Sequence, residues 1–344
     1  MFYSVLVLFF LAPPAIAATC IAVPTPADAN AARSQTSMFN KDVLLTISQR
    51  TPLSGIDKTD TARIEPILKP LTYAWKNNTI PYMFSENFAP AQKGTILEAM
   101  DYWQRVSCVT FRPADLINDY EFLNLIASNL TIGCYANLGM VQEGSFISVV
   151  NVQGCDSYAV ALDLFAHLLG IYNTGDAIPD QPSVSTIAAV NELYKCSASC
   201  PSPISCLNGG SPSGKNCGSC VCPAGWSGTK CDETSPGTQL IQVTDTRDVS
   251  LALTGPFSSA EEKVVIVQAP AGKKLQATVK SFGSDCFTAC TLAGVEITGG
   301  TTDKTVCSLA SASSPIISSG NSLTLRIFRT ANYQVQATVT VTVV

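Results

Sequence analysis

The chain holds one histidine, His167, and fourteen cysteines, so its chemistry rests on a single imidazole or on sulfur. Asp163 stands four residues before His167, a spacing that places both side chains on one face of a helix. Together they offer a metal ion two donors, whereas zinc sites take three or four protein ligands. A weak Asp163/His167 site therefore competes with a simpler reading, in which His167 is a polar residue left on an apolar helix. Other catalytic plans find less support. No Ser, Cys or Thr lies beside a His/Asp pair that would activate it, and no glycine loop of the phosphate-cradling kind is present. The carboxylates Asp115, Asp119 and Glu121 cluster in a polar stretch that reads as solvated surface rather than a glycosidase pair.

Around these residues the sequence alternates between helix and strand patterns. Ile96, Ala99, Met100 and Trp103 recur at helical spacing within 91–105. Strand-like runs follow at Phe122–Ile126 and Phe146–Val150, and a second helix is expected from Ala159 to Leu169, ended by Gly170. Beyond residue 238 the composition turns to Val, Thr, Ile and Leu. Runs such as 263–268 and 334–344 alternate with period two between Gly/Ser/Pro clusters, the pattern of an antiparallel sandwich.

Composition bounds the setting. Of the 344 residues, 46% are hydrophobic and 14% charged, with a net charge of −5 and no basic stripe, which argues against nucleic-acid binding. The apolar run Val5–Ala12 is too short to span a bilayer and is followed by the small-residue pattern Ala15-Ile-Ala17, so residues 1–17 read as a secretory signal. No later stretch reads as a membrane anchor, and the expected location is extracellular. There the cysteines form disulfides by default. Asn77 and Asn129 open the sequons Asn77-Asn-Thr79 and Asn129-Leu-Thr131 and are expected glycan acceptors.

Cysteine density peaks at 200–231, where Cys206-Leu-Asn-Gly-Gly precedes Cys217-x-x-Cys220-x-Cys222-Pro-Ala-Gly-Trp-Ser-Gly-Thr-Lys-Cys231. This block resembles an EGF-like module, a fold too small to stand without staples; a zinc knuckle of Cys217, Cys220 and Cys222 is the competing reading. The resemblance implies the pairs Cys200–Cys217, Cys206–Cys220 and Cys222–Cys231. Residues 234–344 look like a CUB-like sandwich, with a generic sandwich as the alternative. The CUB-like reading implies Cys286–Cys307 and leaves Cys290 without an evident partner.

The middle of the chain resembles the astacin family of zinc metalloproteases (peptidase M12A, metzincins). Trp75 with Ile80-Pro-Tyr82, the helix Ile96-Leu-Glu-Ala-Met-Asp-Tyr-Trp103, and Cys108-Val-Thr-Phe111 carry the likeness. Ile132-Gly-Cys134-Tyr-Ala-Asn-Leu-Gly139, Gly154-Cys155 and the closing segment Asn191-Glu-Leu-Tyr-Lys-Cys196 continue it. It implies the disulfides Cys108–Cys196 and Cys134–Cys155, and it casts Phe39-Asn-Lys-Asp42 as a degenerate propeptide switch with Asp42 on the metal. The family motif His-Glu-x-x-His-x-x-Gly-x-x-His, aligned on Gly170, sets Asp163 at the first ligand, Leu164 at the general base, His167 at the second ligand and Asn173 at the third. His167 is then the one surviving ligand position, and Leu164 replaces the general base. No methionine follows Met140, and 22 residues (174–195) separate Asn173 from Cys196. The family's Met-turn half is thus absent, its lower wall lost or replaced by the Pro-rich loop Ile178–Ser185.

The expected fold class is α+β: a truncated astacin-like metzincin N-terminal subdomain, a small disulfide-rich EGF-like module and an all-β CUB-like sandwich. The expected divisions are 1–17 signal peptide, 18–69 propeptide-like, 70–196 degenerate astacin-like, 197–233 EGF-like and 234–344 CUB-like. The expected function is a secreted, catalytically inactive homologue acting as a binding or regulatory protein. No cofactor is expected, and zinc is the ion if any metal binds. Partners would be extracellular proteins or glycans held by the two accessory modules, or peptides held on an exposed edge strand near Tyr135–Gly139. The alternatives are an active or weakly active zinc metalloendopeptidase, and a chain that does not fold stably.

Overall fold

A computed structural model describes residues 38–39, 42–56, 61–85, 88–127, 134–142, 147–152, 157–172, 181–200, 202, 204–255, 260–284, 290, 293–300, 303–307, 314–329 and 334–344. The expected signal segment, Cys20, Asn129, Cys155, Asn173 and Cys286 lie outside the described residues.

The first region begins with β1 (Met38–Phe39), β2 (Val43–Leu44), α1 (Ile47–Arg50) and α2 (Thr61–Leu68). It continues through β3 (Thr79–Phe84), α3 (Pro90–Val106), β4 (Thr110–Pro113), β5 (Phe122–Ile126), β6 (Tyr135–Asn137) and β7 (Ile147–Asn151). Two helices, α4 (Tyr158–Leu168) and α5 (Val184–Leu193), close it. The strands form one sheet in the order β1-β2-β6-β7-β5-β3-β4. β3, β4, β5 and β7 run parallel, β6 is antiparallel to β7, and β2 joins parallel to β6. The N-terminal strands β1 and β2 are therefore part of the sheet.

Helix α3 starts where Pro90 supplies a helical φ at the first position and the Gln92 side chain accepts the Ala89 N–H. Ile96, Ala99, Met100 and Trp103 are all buried along one face, as the helical spacing predicts. Helix α4 is capped by Ser157, whose hydroxyl accepts the Val160 N–H. Its length is nearly all apolar because the helix is central, enclosed between α3 and the sheet. Two tryptophans tie it in place: Trp103 Nε1 donates to the Leu162 carbonyl and Trp75 Nε1 to that of Leu168, both at 3.2 Å. The disulfide Cys108–Cys196 fastens the end of the region to the start of β4. Cys134 is also disulfide-bonded.

Helix α5 corrects the expectation of a loop through Ser185. Ser183 caps it, accepting the Thr186 N–H at 3.1 Å, and Ile187 and Val190 bury against the core. Ile187, Val190 and the following Tyr194 belong to the same buried cluster as the residues of α4. The buried Tyr194 hydroxyl accepts the Trp75 N–H, and burial pushes its pKa up.

A small module follows, with β8 (Ser211–Pro212) paired to β9 (Cys220–Val221) and β10 (Trp226–Ser227) to β11 (Glu233–Thr234). Its disulfides are Cys200–Cys217, Cys206–Cys220 and Cys222–Cys231. The last region starts with β12 (Gln239–Gln242), β13 (Arg247–Leu253), β14 (Glu261–Gln268), β15 (Leu275–Ser284) and β16 (Ala293–Thr298). It ends with β17 (Lys304–Val306), β18 (Ile316–Ile317), β19 (Ser322–Arg329) and β20 (Val335–Val343). Sheets β12-β14-β19-β16-β17 and β13-β20-β15-β18 share one aliphatic core.

Two expectations fail here. β20 alternates buried and open as its sequence does, but Val264, Val265, Ile266 and Val267 of β14 are all buried. The outward face of β14 is covered by the small module: a Cβ on Gly225 would come within 2.7 Å of Val264. Cys307 pairs with Cys290, not Cys286. Cys290 is wholly buried, and its Cα lies 5.2 Å from that of Cys307, within disulfide reach.

Candidate functional site

The site forms where α4 ends. Gly170 turns the chain with φ of +98°, and an added Cβ would lie 2.8 Å from both Leu193 and Thr72, so the position excludes a side chain on conformational and steric grounds alike. Gly170 and Gly139 both donate their N–H to the His167 carbonyl, at 2.8 and 2.9 Å. The turn brings Ile171 back under the helix, and its carbonyl lies 2.9 Å from His167 Nδ1. Nδ1 donates there, so in the neutral ring it is Nε2 that carries the lone pair.

That Nε2 points toward two carboxylates. Asp163 Oδ2, one helical turn earlier, is 3.7 Å away, and Asp42 Oδ1, from the N-terminal segment, is 3.6 Å away. One donor atom from each of the three residues lies within 4.8 Å of the other two. His167 is 1% exposed, and the Asp163 and Asp42 side chains 10% and 13%. Nε2 is buried with no hydrogen-bond partner among the described residues. Burial on its own lowers the pKa of this imidazole, but the charges of Asp42 and Asp163 outweigh it and raise the value to about 9. A proton and a divalent cation are thus alternative counter-charges for the same nitrogen.

Asp42 is delivered by the sheet. Its carbonyl accepts the Ala136 N–H at 2.9 Å, and Val43 and Leu44 lie in register with Ala136 and Asn137 of β6. Val43 and Leu45 bury in a separate small core with Leu53, Ile64, Leu68, Leu138 and Tyr172. Gln49 locks the segment from below: it is 2% exposed, and its Nε2 donates to the Leu71 and Leu138 carbonyls, each at 3.1 Å. Sequence reasoning missed this anchor, although Thr46-x-x-Gln49 is a readable capping box. The β6 edge expected to receive a peptide is taken up by β2 of the same chain.

Of the four positions that the resemblance singles out, the structure brings Asp163 and His167 together with Asp42, and Asn173 lies outside the described residues. Leu164 is wholly buried in the apolar core. The three donors fit a metal ion: one imidazole with a free lone pair and two carboxylates around a shared point suit zinc. A zinc bound there would act as a Lewis acid on a bound water or carbonyl.

The surface carboxylates have ordinary roles. Asp119 takes both guanidinium nitrogens of Arg112 at 2.6 Å, Asp115 caps the turn at Ile117, and Glu121 pairs with Lys76. Hydrogen bonds from the Asn118 side chain and the Ile117 N–H hold Asp115, and those from Arg112 hold Asp119, below the usual carboxylate range. The loop they pin displays Leu116, Ile117 and Tyr120, which are 62%, 82% and 82% exposed. Asn77 is exposed in a turn with φ of +53°. No helix among the described residues is long and apolar enough to cross a membrane.

Residues 68–189 match the family model described as Astacin (Peptidase family M12A). The chain is 24% identical to zinc metalloproteinase nas-29 of Caenorhabditis elegans, over 74% of this chain and 62% of that protein. It is 25% identical to zinc metalloproteinase nas-22 of the same organism, over 65% of this chain and 81% of that protein. The chain thus spans less than two thirds of the length of nas-29. Among solved structures, it is similar to high choriolytic enzyme 1, a hatching-enzyme zinc protease of medaka (Oryzias latipes). That likeness has a TM-score of 0.25 and 24% identity, over 30% of this chain and 49% of the other. A likeness to the CUB1-EGF-CUB2 domains of rat MASP-1 has a TM-score of 0.24 and 13% identity, over 31% and 42%.

Proposed function

We propose that the chain, whose residues 68–189 match the Astacin (Peptidase family M12A) family model, is a secreted, non-proteolytic member of that family that acts by binding. The observation that carries this reading is Leu164, which is 0% exposed and part of the core. In an astacin-type site the residue at that position removes a proton from the metal-bound water. A buried leucine has no group for that step and no route to the water. The β6 edge, where a peptide would add as a strand, is already paired with β2, which supports the same conclusion.

In this reading residues 1–17 are a signal peptide, 18–69 a retained propeptide-like segment and 70–196 the scaffold. Residues 197–233 form an EGF-like module and 234–344 a CUB-like sandwich, and these present the chain to extracellular proteins or glycans. The pinned loop carrying Leu116, Ile117 and Tyr120 adds an apolar contact surface, of a kind that marks interaction sites when exposed and ordered. Asn77 carries a glycan, and by the same sequon chemistry so does Asn129.

The test is hydrolysis of casein and of a quenched peptide library by the purified, oxidised full chain, with zinc supplied and with 1,10-phenanthroline as control. The expected result is no chelator-sensitive cleavage. Chelator-sensitive turnover, before or after the N-terminal segment is cut away, would establish the competing reading of a zinc metalloendopeptidase latched by Asp42. That reading draws on the 3.6 Å approach of Asp42 to His167.

A further inference from the structure

We propose that the glycan on Asn77 seats its first N-acetylglucosamine ring in the adjoining cleft against Tyr120, where the sugar becomes a fixed part of the domain and props the loop that displays Leu116 and Ile117. The inference rests on the reading of Asn77 as a glycan acceptor and deepens it, by naming the surface the sugar occupies and what its presence does.

The turn that carries Asn77 fixes the point from which the sugar leaves. Asn78 is pinned inward: its Nδ2 donates to the Tyr194 carbonyl at 3.2 Å and lies 3.1 Å from Cys108 Sγ. Asn77 is exposed, and its side chain has no such anchor among the described residues. Both residues hold a left-handed φ, +53° and +54°, a conformation that asparagine adopts more readily than most side chains. The Thr79 hydroxyl donates to the Asn77 carbonyl at 3.1 Å, and the Asn78 N–H to the Trp75 carbonyl at 3.2 Å. In the linking step the Asn77 amide nitrogen bonds the anomeric carbon of a lipid-diphosphate-linked oligosaccharide and gives up one proton as the lipid diphosphate leaves.

A cleft of about 500 Å3 opens at that point, with Asn77 in its wall, a size within the roughly 300–1,000 Å3 of small-molecule sites. Trp75 and Met140, each 2% exposed, line it from the core side, and Tyr120, 82% exposed, lines it from the loop. Two ion pairs border it, Lys76–Glu121 at 2.7 Å and Arg112–Asp119 at 2.6 Å. This mixture matches a pyranose ring, whose C–H face sheds water onto an aromatic surface while its hydroxyl and acetamido edge needs polar partners. The tether commits the cleft to this occupant. A linked sugar meets it at an effective concentration of about millimolar or more, and a partner molecule would have to enter past a glycan rooted in the wall. The loop is already braced by the Asp115 N–H to the Asp119 carboxylate at 2.7 Å, and the sugar adds the contact that its exposed Tyr120 ring lacks. Leu116 and Ile117 lie outside the cleft lining and stay displayed.

The experiment uses the full secreted chain, made with high-mannose glycans and with Asn129→Gln so that Asn77 is the acceptor under test. It is compared intact, trimmed by endoglycosidase H to a single N-acetylglucosamine, and stripped by peptide-N-glycosidase F, which leaves an aspartate at the linkage position. Tyr120 is read by hydroxyl-radical labelling and residues 115–121 by hydrogen exchange. The intact and single-sugar forms are expected to label alike, at least about threefold more slowly than the stripped form, the scale of one aromatic contact. Asn77→Asp, never glycosylated, should match the stripped form, and Thr79→Ser, which keeps the sequon, should match the intact one. Tyr120→Ala should keep its glycan while exchange of the loop becomes the same with and without the sugar. Glycopeptide mass spectrometry separates the two layers. An unmodified Asn77 overturns the acceptor reading and this proposal with it. A modified Asn77 whose stripping leaves Tyr120 labelling unchanged overturns the proposal alone, and so does protection that is lost on trimming to the single sugar.

Discussion

The two ends of the molecule bury cationic side chains among carboxylates, and they do so in opposite ways. In the sandwich, Arg326 of β19 donates Nε to Glu262 at 2.7 Å and a terminal nitrogen to Glu296 at 3.3 Å. Its guanidinium also lies 4.7 Å from the Phe328 ring centre. Glu296 is its direct cross-strand neighbour on β16, just as Glu261 faces Arg329 from β14 and bonds it. The strand register itself supplies the counter-charge. At His167 the carboxylates come from one helical turn away and from a distant segment, and neither reaches hydrogen-bond distance. The sandwich guanidiniums are paired directly with carboxylates, whereas the donor atoms of the N-terminal trio stand apart, within 4.8 Å of one another. Buried charge is therefore met by direct pairing in one region and by groups held at a distance in the other.

The largest expected effect probes the directly paired region. Arg326→Ala leaves Glu296, 14% exposed at its side chain, facing β19 without its cation. Breaking a buried pair from one side costs about 3–5 kcal/mol. The open position of Glu262, 53% exposed, reduces this to about 2–3 kcal/mol by solvent screening. Hydrogen exchange of the β14 and β19 amides measures it region by region, which a chain of several cooperative units requires. The double change Arg326→Met with Glu296→Gln should recover most of the loss, because an apolar or neutral pair of similar volume replaces a buried ion pair at little cost. Failure to recover would mean that the sandwich charges do more than cancel each other.

Metal removal probes the region whose charges stand apart. At 100 times its Kd, a cation that binds only the folded site adds about 2.7 kcal/mol. Chelation should therefore accelerate exchange in β2 and the last turn of α4 while leaving β14 and β19 untouched. Equal acceleration in both regions would erase the contrast between them.

Much of this contrast was legible in the sequence, and the remainder was hidden for physical reasons. The helices around Trp103 and His167 were readable because their apolar spacing is local, and the resemblance singled out Asp163, His167 and Asp42, whose donor atoms lie within 4.8 Å of one another. The convergence of Asp42 and Asp163 on one nitrogen needed β2 to pair with β6, a contact between distant segments that no periodicity encodes. Helix α5 was masked by the prolines before it, although Ser183 is an ordinary cap. The Cys290–Cys307 bond was missed because Cys286 and Cys290 lie within one short stretch, and spacing alone does not select between them. β14 lost its alternation because the small module covers its outer face.

Gly170→Ala carries a smaller effect and sharpens the account of how His167 is aimed. A left-handed φ costs a non-glycine residue about 1–2 kcal/mol, and the contacts at 2.8 Å with Leu193 and Thr72 push the estimate toward its upper end. The turn that returns the Ile171 carbonyl to Nδ1 should loosen before the helix does. The expected signature is faster exchange at 169–172 and a change in the imidazole nitrogen resonances, with β19 unaffected.

The smallest effect belongs to a pair that looks better than the one at His167. Lys280 Nζ lies 2.6 Å from Asp248 Oδ2, but the two side chains are 62% and 42% exposed. Water already solvates both charges and salt screens them, so Lys280→Ala should change stability by less than about 0.5 kcal/mol. The Lys280 contact holds Asp248 below the usual carboxylate range, followed by the Thr340 hydroxyl, yet exposure leaves that perturbation little to contribute to stability. Distance alone would rank this pair above Asp42 and His167, which stand a full ångström farther apart. Burial reverses the ranking: the short exposed pair is dispensable, and the long buried one demands a counter-charge from somewhere. A loss well above 1 kcal/mol on Lys280→Ala, measured by exchange of the β13 and β15 amides, would show that proximity, not burial, sets the worth of charge in this molecule.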